Sequence, residues 1–487
     1  MEQTPNEILD LIFLLFVYQH PRHDGTSSFD GLADSEITEG QTWPGVFQFS
    51  KGPWVISRVC RKWRMISATF PQLWSHFSLR AADLNPNADG ITALTTWLSF
   101  SGTFKLSFFI EPDRICNDPQ RSRLFELLTE HAERWDKIEF YNSTPDFWSM
   151  LHNANVKSRL GSLTSITVHS EEVNVADDAF SGDPTFYQVF LDAPQLHILV
   201  NRNHLPCRGL ELPWGQLTEY EGSHRVRVDE HLDLLRLTTN IQKCRLEIAY
   251  VGDPSPDDQL QPSQTIHLPN LQTLQIRTTW FSDSMRNLPD FVRLLRLPAL
   301  KTLRIVTEHL SHIPPAFGAF ADVLRSSSSE LHSLELSSRA VAGIDNLRSE
   351  DILDLLKAVP TLRHLCISFG NSGSSCALQD TIIPRLDPKG KSRDDVLVPV
   401  LEMLEFRLPS PSAIPMIDLK ALARAIHSRS RAPDFESIRN LHITVELGDG
   451  HVDHVDNEVL SSFILGPIME VLDGGEEVEI VIKTRAS

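Results

Sequence analysis

The feature that most constrains this chain is a short phrase, L-x-x-L-x-I with other apolar residues allowed, that recurs along its length. Clear copies are Leu163/Ile166/Val168, Leu271/Leu274/Ile276, Leu300/Leu303/Ile305, Leu331/Leu334/Leu336, Leu362/Leu365/Ile367 and Leu401/Leu404/Phe406. Weaker copies are Trp135/Ile138/Phe140, Leu196/Leu199, Leu217/Tyr220, Ile241/Cys244/Leu246 and Ile438/Leu441/Ile443. The copies that begin at Leu271, Leu300, Leu331, Leu362 and Leu401 follow one another at steps of 29, 31, 31 and 39 residues. Proline stands two positions ahead of the first apolar residue at Pro194, Pro269, Pro298, Pro360 and Pro399. Proline cannot continue a helix and disfavours helix in the residue before it, so each of these copies begins where a helix has just been stopped.

The second half of the phrase alternates apolar with polar residues, which is strand periodicity. Helical patterns lie between copies. Ser349 is placed to cap a helix whose apolar face is Ile352, Leu355, Leu356 and Val359. Phe291, Leu294 and Leu295 precede one strand in the same way, and Leu422, Ala425 and Ile426 another. One strand and one helix about every thirty residues is the sequence form of a leucine-rich repeat solenoid. A single unit buries about three apolar strand residues, roughly 5–9 kcal/mol gross. Ordering the unit costs more than that, so the units must stack. A stack also suits a length of 487 residues, too great for one compact core. The spacing is irregular, and Pro254–Pro262 and Thr381–Pro399 read as inserted loops. The pattern resembles the degenerate leucine-rich repeats of receptor proteins more than uniform consensus arrays. The expected fold class is α/β: a small N-terminal helical domain, then an irregular leucine-rich repeat solenoid with a curved parallel sheet on its concave side and helices on its convex side.

In such a stack the polar positions between inward leucines face the hollow. The candidate target-binding residues are Thr273, Gln275, Arg277, Arg304, Glu335, His364, Glu405 and Arg407, with Lys137, Glu139, Lys243, Arg245, Thr302, Ser333, Met403 and His442 at equivalent positions. The several arginines suit an acidic or phosphorylated peptide. A solvated strand face without a special ligand is the competing reading for each residue.

The first eighty residues follow another pattern. Thr4, Pro5 and Glu7 have the chemistry of a capped helix start, with Pro5 at the first helical position and Glu7 completing a capping box. Residues Ile8 to Val17 are apolar on nearly every side of the helix that follows. Neighbours within a small domain cannot cover such a helix all round, so part of it is expected to meet another protein. After a polar stretch, His20 to about Ser50, a second helix is expected from about Pro53, with Val55, Ile56, Val59, Cys60, Trp63 and Ile66 on one stripe. Lys51 to Arg80 holds six Lys and Arg and no Asp or Glu, although the whole chain carries a formal charge of −19. A basic patch of this kind steers an acidic partner. Leu73 and Trp74 then close a small helical core.

The run from Thr4 to Phe13, the block Val59-Cys60-Arg61-Lys62-Trp63-Arg64 and the closing Leu73-Trp74 resemble the F-box. The resemblance covers about Thr4–Leu79, with an insertion at about 19–52 and Thr4 where the family usually has Leu. Together with the repeats, the whole chain is similar to mushroom-type fungal F-box proteins. The resemblance implies an adaptor: the helical module binds the Skp-type linker of a cullin–RING ubiquitin ligase of the SCF type, and the repeats hold a protein substrate. By position, Pro5, Ile8, Leu9, Ile12, Phe13, Val59 and Trp63 contribute to linker docking or to the core beneath it. For Pro5, Ile8 and Leu9 the expectation is contact; for Trp63 and Trp74, core packing competes. A ligase-independent repeat scaffold is the alternative function.

Other chemistry is sparse. The acidic balance argues against nucleic acid as the main ligand. The six cysteines are widely spaced with no C-x-x-C pair, as expected in a reducing compartment. No secretory signal or bilayer-length apolar run is read, so a cytoplasmic or nuclear protein without membrane attachment is expected. No nucleotide-binding, hydrolase or zinc-protease motif occurs, so neither enzymatic activity nor a cofactor or metal is expected. Asp449, His451, Asp453, His454, Asp456 and Glu458 have metal-ligand chemistry without metal-site spacing, and read as a solvated acidic turn. Asn142-Ser143-Thr144, Thr26–Ser28 and Ser326–Ser329 are modification-type sequences that read as plain loops. The expected domains are 1–80 for the helical module, 81–445 for the repeats and 446–487 for an acidic cap, with Val478–Ile482 as a closing strand.

Overall fold

The computed structural model describes residues 4–18, 43–80, 90–111, 119–141, 145–169, 188–202, 211–222, 228–248, 265–278, 288–307, 314–338, 349–368, 382–389, 391–392, 395–408, 417–447, 464–472 and 478–486. The chain forms two compact units, Met1–Ser223 and His224–Ser487. The expected acidic turn, the sequence Asn142-Ser143-Thr144, Thr26–Ser28 and the Pro254–Pro262 loop lie outside the described residues.

In the first unit, helices α1 (Asn6–Val17), α2 (Gly52–Val59) and α3 (Arg61–Thr69) lead through a 3-10 turn, Pro71–Trp74, into the first strand. Six strands then pair in parallel in chain order: β1 (His76–Leu79), β2 (Leu106–Ile110), β3 (Trp135–Tyr141), β4 (Ser165–His169), β5 (Ile198–Asn201) and β6 (Glu219–Gly222). Helices α4 (Gly90–Phe100), α5 (Pro119–Glu130) and α6 (Pro145–Asn153) stand between the earlier strands. The register stacks Phe77, Phe108, Ile138, Ile166, Leu199 and Tyr220 in one fully buried row.

The second unit repeats the arrangement. Its strands are β7 (Lys243–Ile248), β8 (Ile266–His267), β9 (Thr273–Thr278), β10 (Leu295–Arg296), β11 (Thr302–Thr307), β12 (Ser333–Ser338), β13 (His364–Ser368), β14 (Met403–Leu408), β15 (Asn440–Leu447) and β16 (Glu479–Ala486). β7, β9 and β11 to β16 form a parallel sheet, and β8 with β10 forms a separate two-stranded one. Helices α7 (Val228–Leu237), α8 (Leu288–Arg293), α9 (Pro314–Ser327), α10 (Ser349–Lys357), α11 (Ile383–Leu386) and α12 (Leu419–Ser430) alternate with the strands, α9 packing against both α8 and α10. Leu274, Leu303, Leu334, Leu365, Leu404 and Leu441 stack in one buried row and Ile276, Ile305, Leu336, Ile367, Phe406 and Ile443 in the next. Each such side chain contributes roughly 1.5–3 kcal/mol by leaving water, and strands in register share that burial with their neighbours.

The recurrent proline has a second role. Leu271 N–H donates to the Leu268 carbonyl, Leu300 to Leu297, Leu362 to Val359 and Leu401 to Val398, at 3.1–3.4 Å. Each bond closes a four-residue turn, with Pro269, Pro298, Pro360 or Pro399 at its second position, where the ring's fixed φ fits. The proline therefore both ends the preceding segment and aims the next strand.

Several expectations are corrected. Trp74, at the end of the expected helical module, packs on Trp97 of α4 at 4.9 Å, and β16 continues the sheet beyond β15. The expected second helix is two helices, because Cys60 is extended at φ −158° and ψ 172° and its sulfur caps α3 by accepting from Trp63 N–H at 3.4 Å. The expected cap on α1 does not form: Pro5 is the N-cap residue, and no side chain caps the helix. Leu295 lies in a strand, not a helix. The insertion is not all a polar excursion. Trp43 to Phe47 is buried, and Val46 N–H donates to Ser78 O at 3.1 Å while Ser78 N–H donates to Pro44 O at 3.0 Å, bridging the edge of β1. Gly52, at φ +59°, lets the chain leave this bridge for α2; an added Cβ would stand 2.8 Å from the Pro44 Cβ.

Candidate functional site

The helices at the start of the first unit are held by aromatic side chains. Trp54, Trp74 and Trp97 meet edge to face with centroids 4.9–5.6 Å apart. Their indole N–H groups donate to Val46 O at 2.8 Å, Ser67 O at 2.7 Å and Trp74 O at 2.7 Å. This cluster joins α2, α3, the bridge from the insertion and α4, so Trp74 is a core residue. On α1, Leu9 and Phe13 point into that core, 3% and 1% exposed, and Phe13 lies against half-buried Trp63 at 4.9 Å.

The rest of α1 is uncovered. Ile8, Leu11, Ile12, Leu15 and Phe16 are exposed, Leu15 by 71%, and so are Pro5, Val59 at the end of α2 and Met65 on α3. Of the seven residues expected at a linker interface, the fold therefore leaves Pro5, Ile8, Ile12 and Val59 at the surface. It draws Leu9 and Phe13 inward, and puts Trp63 halfway between. Leu9 is thus corrected from contact to core. Leu11, Leu15, Phe16 and Met65 were not singled out by the sequence pattern, because an all-apolar helix gives no sign of which side its own domain will cover. Basic groups stand on α2 and α3: Arg58 donates to Phe49 O at 3.0 Å, Lys62 to Thr4 O at 3.1 Å and Arg64 to Ser57 O at 2.9 Å, and Arg61 is exposed.

The polar strand face of the second unit brings all eight of its expected residues together. Gln275, Arg304, Glu335, Cys366 and Glu405 form one row across β9 to β14. Thr273 and His364 belong to the row on one side of it, Arg277 and Arg407 to the row on the other. The arginines are held by carboxylates. Glu335, only 5% exposed, accepts from Arg304 Nε at 3.1 Å and from Arg407 Nη1 at 2.7 Å. Arg407 Nε also reaches Glu405 at 2.7 Å, His364 Nε2 stands 3.6 Å from the other Glu405 oxygen, and Arg277 stands 3.6 Å from Glu247. Burial alone would raise the Glu405 carboxyl, but the nearby His364 and the hydrogen-bonded Arg407 outweigh it and pull it down to about 2. Burial, with Glu335 nearby, pushes the Cys366 thiol up, so it is a protonated core-type thiol and not a nucleophile. The expectation of arginines open to an acidic peptide is corrected in this respect: Arg304 and Arg407 already hold internal carboxylates.

A residue with no sequence signal, Arg429 on α12, is fully buried. Its guanidinium donates to the carbonyls of Val398 at 2.9 Å, Pro399 at 2.8 Å, Glu436 at 3.2 Å, Leu386 at 3.4 Å and Leu397 at 3.5 Å. It ties the inserted 382–399 segment to the stack, including Val398 at φ +44°. Ser327, from the expected loop Ser326–Ser329, is buried and accepts from Leu297 N–H at 3.0 Å, a structural role.

Among the described residues no helix is long and apolar enough to cross a membrane, and no group of three His, Cys, Asp or Glu is placed to hold a metal. No protein-family model matches the chain, and no curated protein matches it either. Among solved structures, a crystal structure of a TLR13–ssRNA13 complex is similar over 79% of this chain and 42% of that chain, at 10% identity and a TM-score of 0.27. The match thus spans less than half the length of that neighbour.

Proposed function

We propose that the chain is a non-catalytic substrate-recognition adaptor of an SCF-type cullin–RING ubiquitin ligase, built from an F-box and an irregular leucine-rich repeat solenoid. The observation that carries this reading is the apolar patch on α1, α2 and α3. Ile8, Leu11, Ile12, Leu15, Phe16, Val59 and Met65 stay exposed although Leu9 and Phe13 on the same helix are fully packed. A contiguous patch of large apolar side chains on a folded helix is the mark of a protein-interaction site. The F-box-like phrasing of Thr4–Trp74 makes a Skp-type linker its occupant. The mechanism is proximity: the helical module fixes one end of the chain to the ligase, and the strand face of the repeats holds the target near the transferred ubiquitin.

The test is co-purification with a Skp-type linker. Ile8→Asp/Ile12→Asp alters only exposed positions, so recovery of linker falls while the thermal midpoint stays near that of the wild type. Leu9→Ala is the contrasting control, opening a core cavity that costs about 2–5 kcal/mol. Equal recovery by the wild type and the double aspartate variant counts against the reading and favours a repeat scaffold that acts outside any ligase.

A further inference from the structure

The polar face of the second unit's sheet meets its own charges internally. Arg277 stands 3.6 Å from Glu247, Arg304 and Arg407 share Glu335, and Arg407 also reaches Glu405. Beside this lattice runs a row without Asp, Glu, Lys or Arg: Thr273, Thr302, Ser333, His364, Met403 and Asn440. Each is in register with the next, across β9 and β11 to β15. Lys243 on β7 and Glu479 on β16 bound the row. All six side chains are half-buried, and Ser333 Oγ stands 3.3 Å from His364 Nδ1. Among the described residues the side chains of Thr273, Thr302 and Asn440 make no hydrogen bond.

We infer that this row is the seat of the target, and that the segment it holds is an uncharged, extended stretch of polypeptide lying across the strands. The inference rests on the proposal that the strand face holds the target, and adds the target's chemistry. An acidic or phosphorylated segment would have to draw Arg304 or Arg407 away from Glu335, which is 5% exposed and cannot follow them into water. A basic segment would compete with the same arginines for the same carboxylates. An uncharged segment disturbs neither. Hydroxyl and carboxamide groups both donate and accept, so Thr273, Thr302, Ser333 and Asn440 suit the N–H and C=O groups of a main chain. Met403 adds an adaptable apolar contact. Neighbouring strands lie about 4.8 Å apart, so the row spans roughly 24 Å, the length of about seven extended residues.

Selection from a displayed library of random linear peptides on the full chain tests this inference. The wild type is expected to enrich peptides poor in Asp, Glu, Lys and Arg, whose affinity changes less than about twofold between low and high salt. Thr302→Arg sets a bulky charge in the middle of the row and is expected to weaken those peptides at least about tenfold. Thr273→Ala/Thr302→Ala removes two hydroxyls with little disturbance of the fold, and is expected to weaken them less. Glu335→Gln takes one negative charge from the lattice, so selection on it is expected to shift towards acidic peptides. A wild type that enriches acidic or basic peptides through this row, or a Glu335→Gln variant that keeps the wild-type preference, overturns the inference alone. A wild type that enriches no peptide, or enriches peptides that neither threonine variant weakens, overturns the strand-face proposal with it. None of these outcomes depends on linker binding by the N-terminal helices.

Discussion

Arg407 on β14 reaches across β13 to Glu335 on β12, with its Nη1 2.7 Å from the Glu335 Oε1. Arg304 approaches the other oxygen of the same carboxylate from β11. One buried glutamate therefore ties three strands, β11, β12 and β14, together across the intervening β13, and a charge-assisted bond of this kind is as much a register lock as a source of stability. Removing the carboxylate leaves two guanidinium groups with one less counter-charge on a largely buried face. Glu335→Ala is expected to cost about 3 kcal/mol, near the lower end for breaking a buried pair, because both arginines retain some solvent. The urea midpoint of the second unit reads it. Replacing all three residues with Met or Leu is expected to recover most of the loss.

Acid sensitivity separates the two units. His169 on β4 is buried beside Tyr141; burial first, and then the Arg202 charge, push its imidazole down to about 3. The folded form therefore keeps His169 neutral while the unfolded chain takes up a proton below about pH 6.5. Its contribution is present above that pH and is lost at roughly 1.4 kcal/mol per pH unit as pH falls towards 3. Glu405, held at about 2, contributes above its unfolded value near 4.5 and loses that contribution as pH falls through about 2. Chemical denaturation at successive pH values is expected to show the first unit weakening before the second. His169→Phe is expected to flatten the upper part of that profile.

Arg429 organises the segment before β14 by donating to five backbone carbonyls with no carboxylate in the set. Burial lowers its guanidinium to about 10, which still leaves it charged at neutral pH. Arg429→Met is expected to leave those carbonyls unsatisfied at a total cost of at least about 3 kcal/mol. Lysine does not rescue it, since one ammonium cannot span the same fan of acceptors. Limited proteolysis within 382–399 is the sensitive readout.

The repeats were legible because their apolar periodicity and proline placement are local. Leu274, Leu303, Leu334, Leu365 and Leu404, picked out by spacing alone, stack in register as one row. The eight polar positions of the strand face followed from the same alternation. What the pattern does not encode is pairing between strands distant in sequence, so the ion pairs that occupy Arg304 and Arg407 had no signal. Nor did the five carbonyls that converge on Arg429. At the other end, the apolar run of α1 showed that some side of it is uncovered but not which. Choosing Leu9 and Phe13 for the interior required Trp63 and the tryptophan cluster to be placed first. The break at Cys60 was hidden for a related reason: Val59 and Ile66 fit one helical stripe, and only the extended backbone of Cys60 separates them.

The most direct test of the adaptor reading is an equilibrium titration of the purified full chain with a purified Skp-type linker, monitored by calorimetry. The account predicts saturable one-to-one binding with a negative heat-capacity change from apolar burial, weakened at least tenfold by Ile12→Asp alone. No detectable heat or saturation with a correctly folded wild type, or an affinity that Ile12→Asp leaves unchanged, would contradict it.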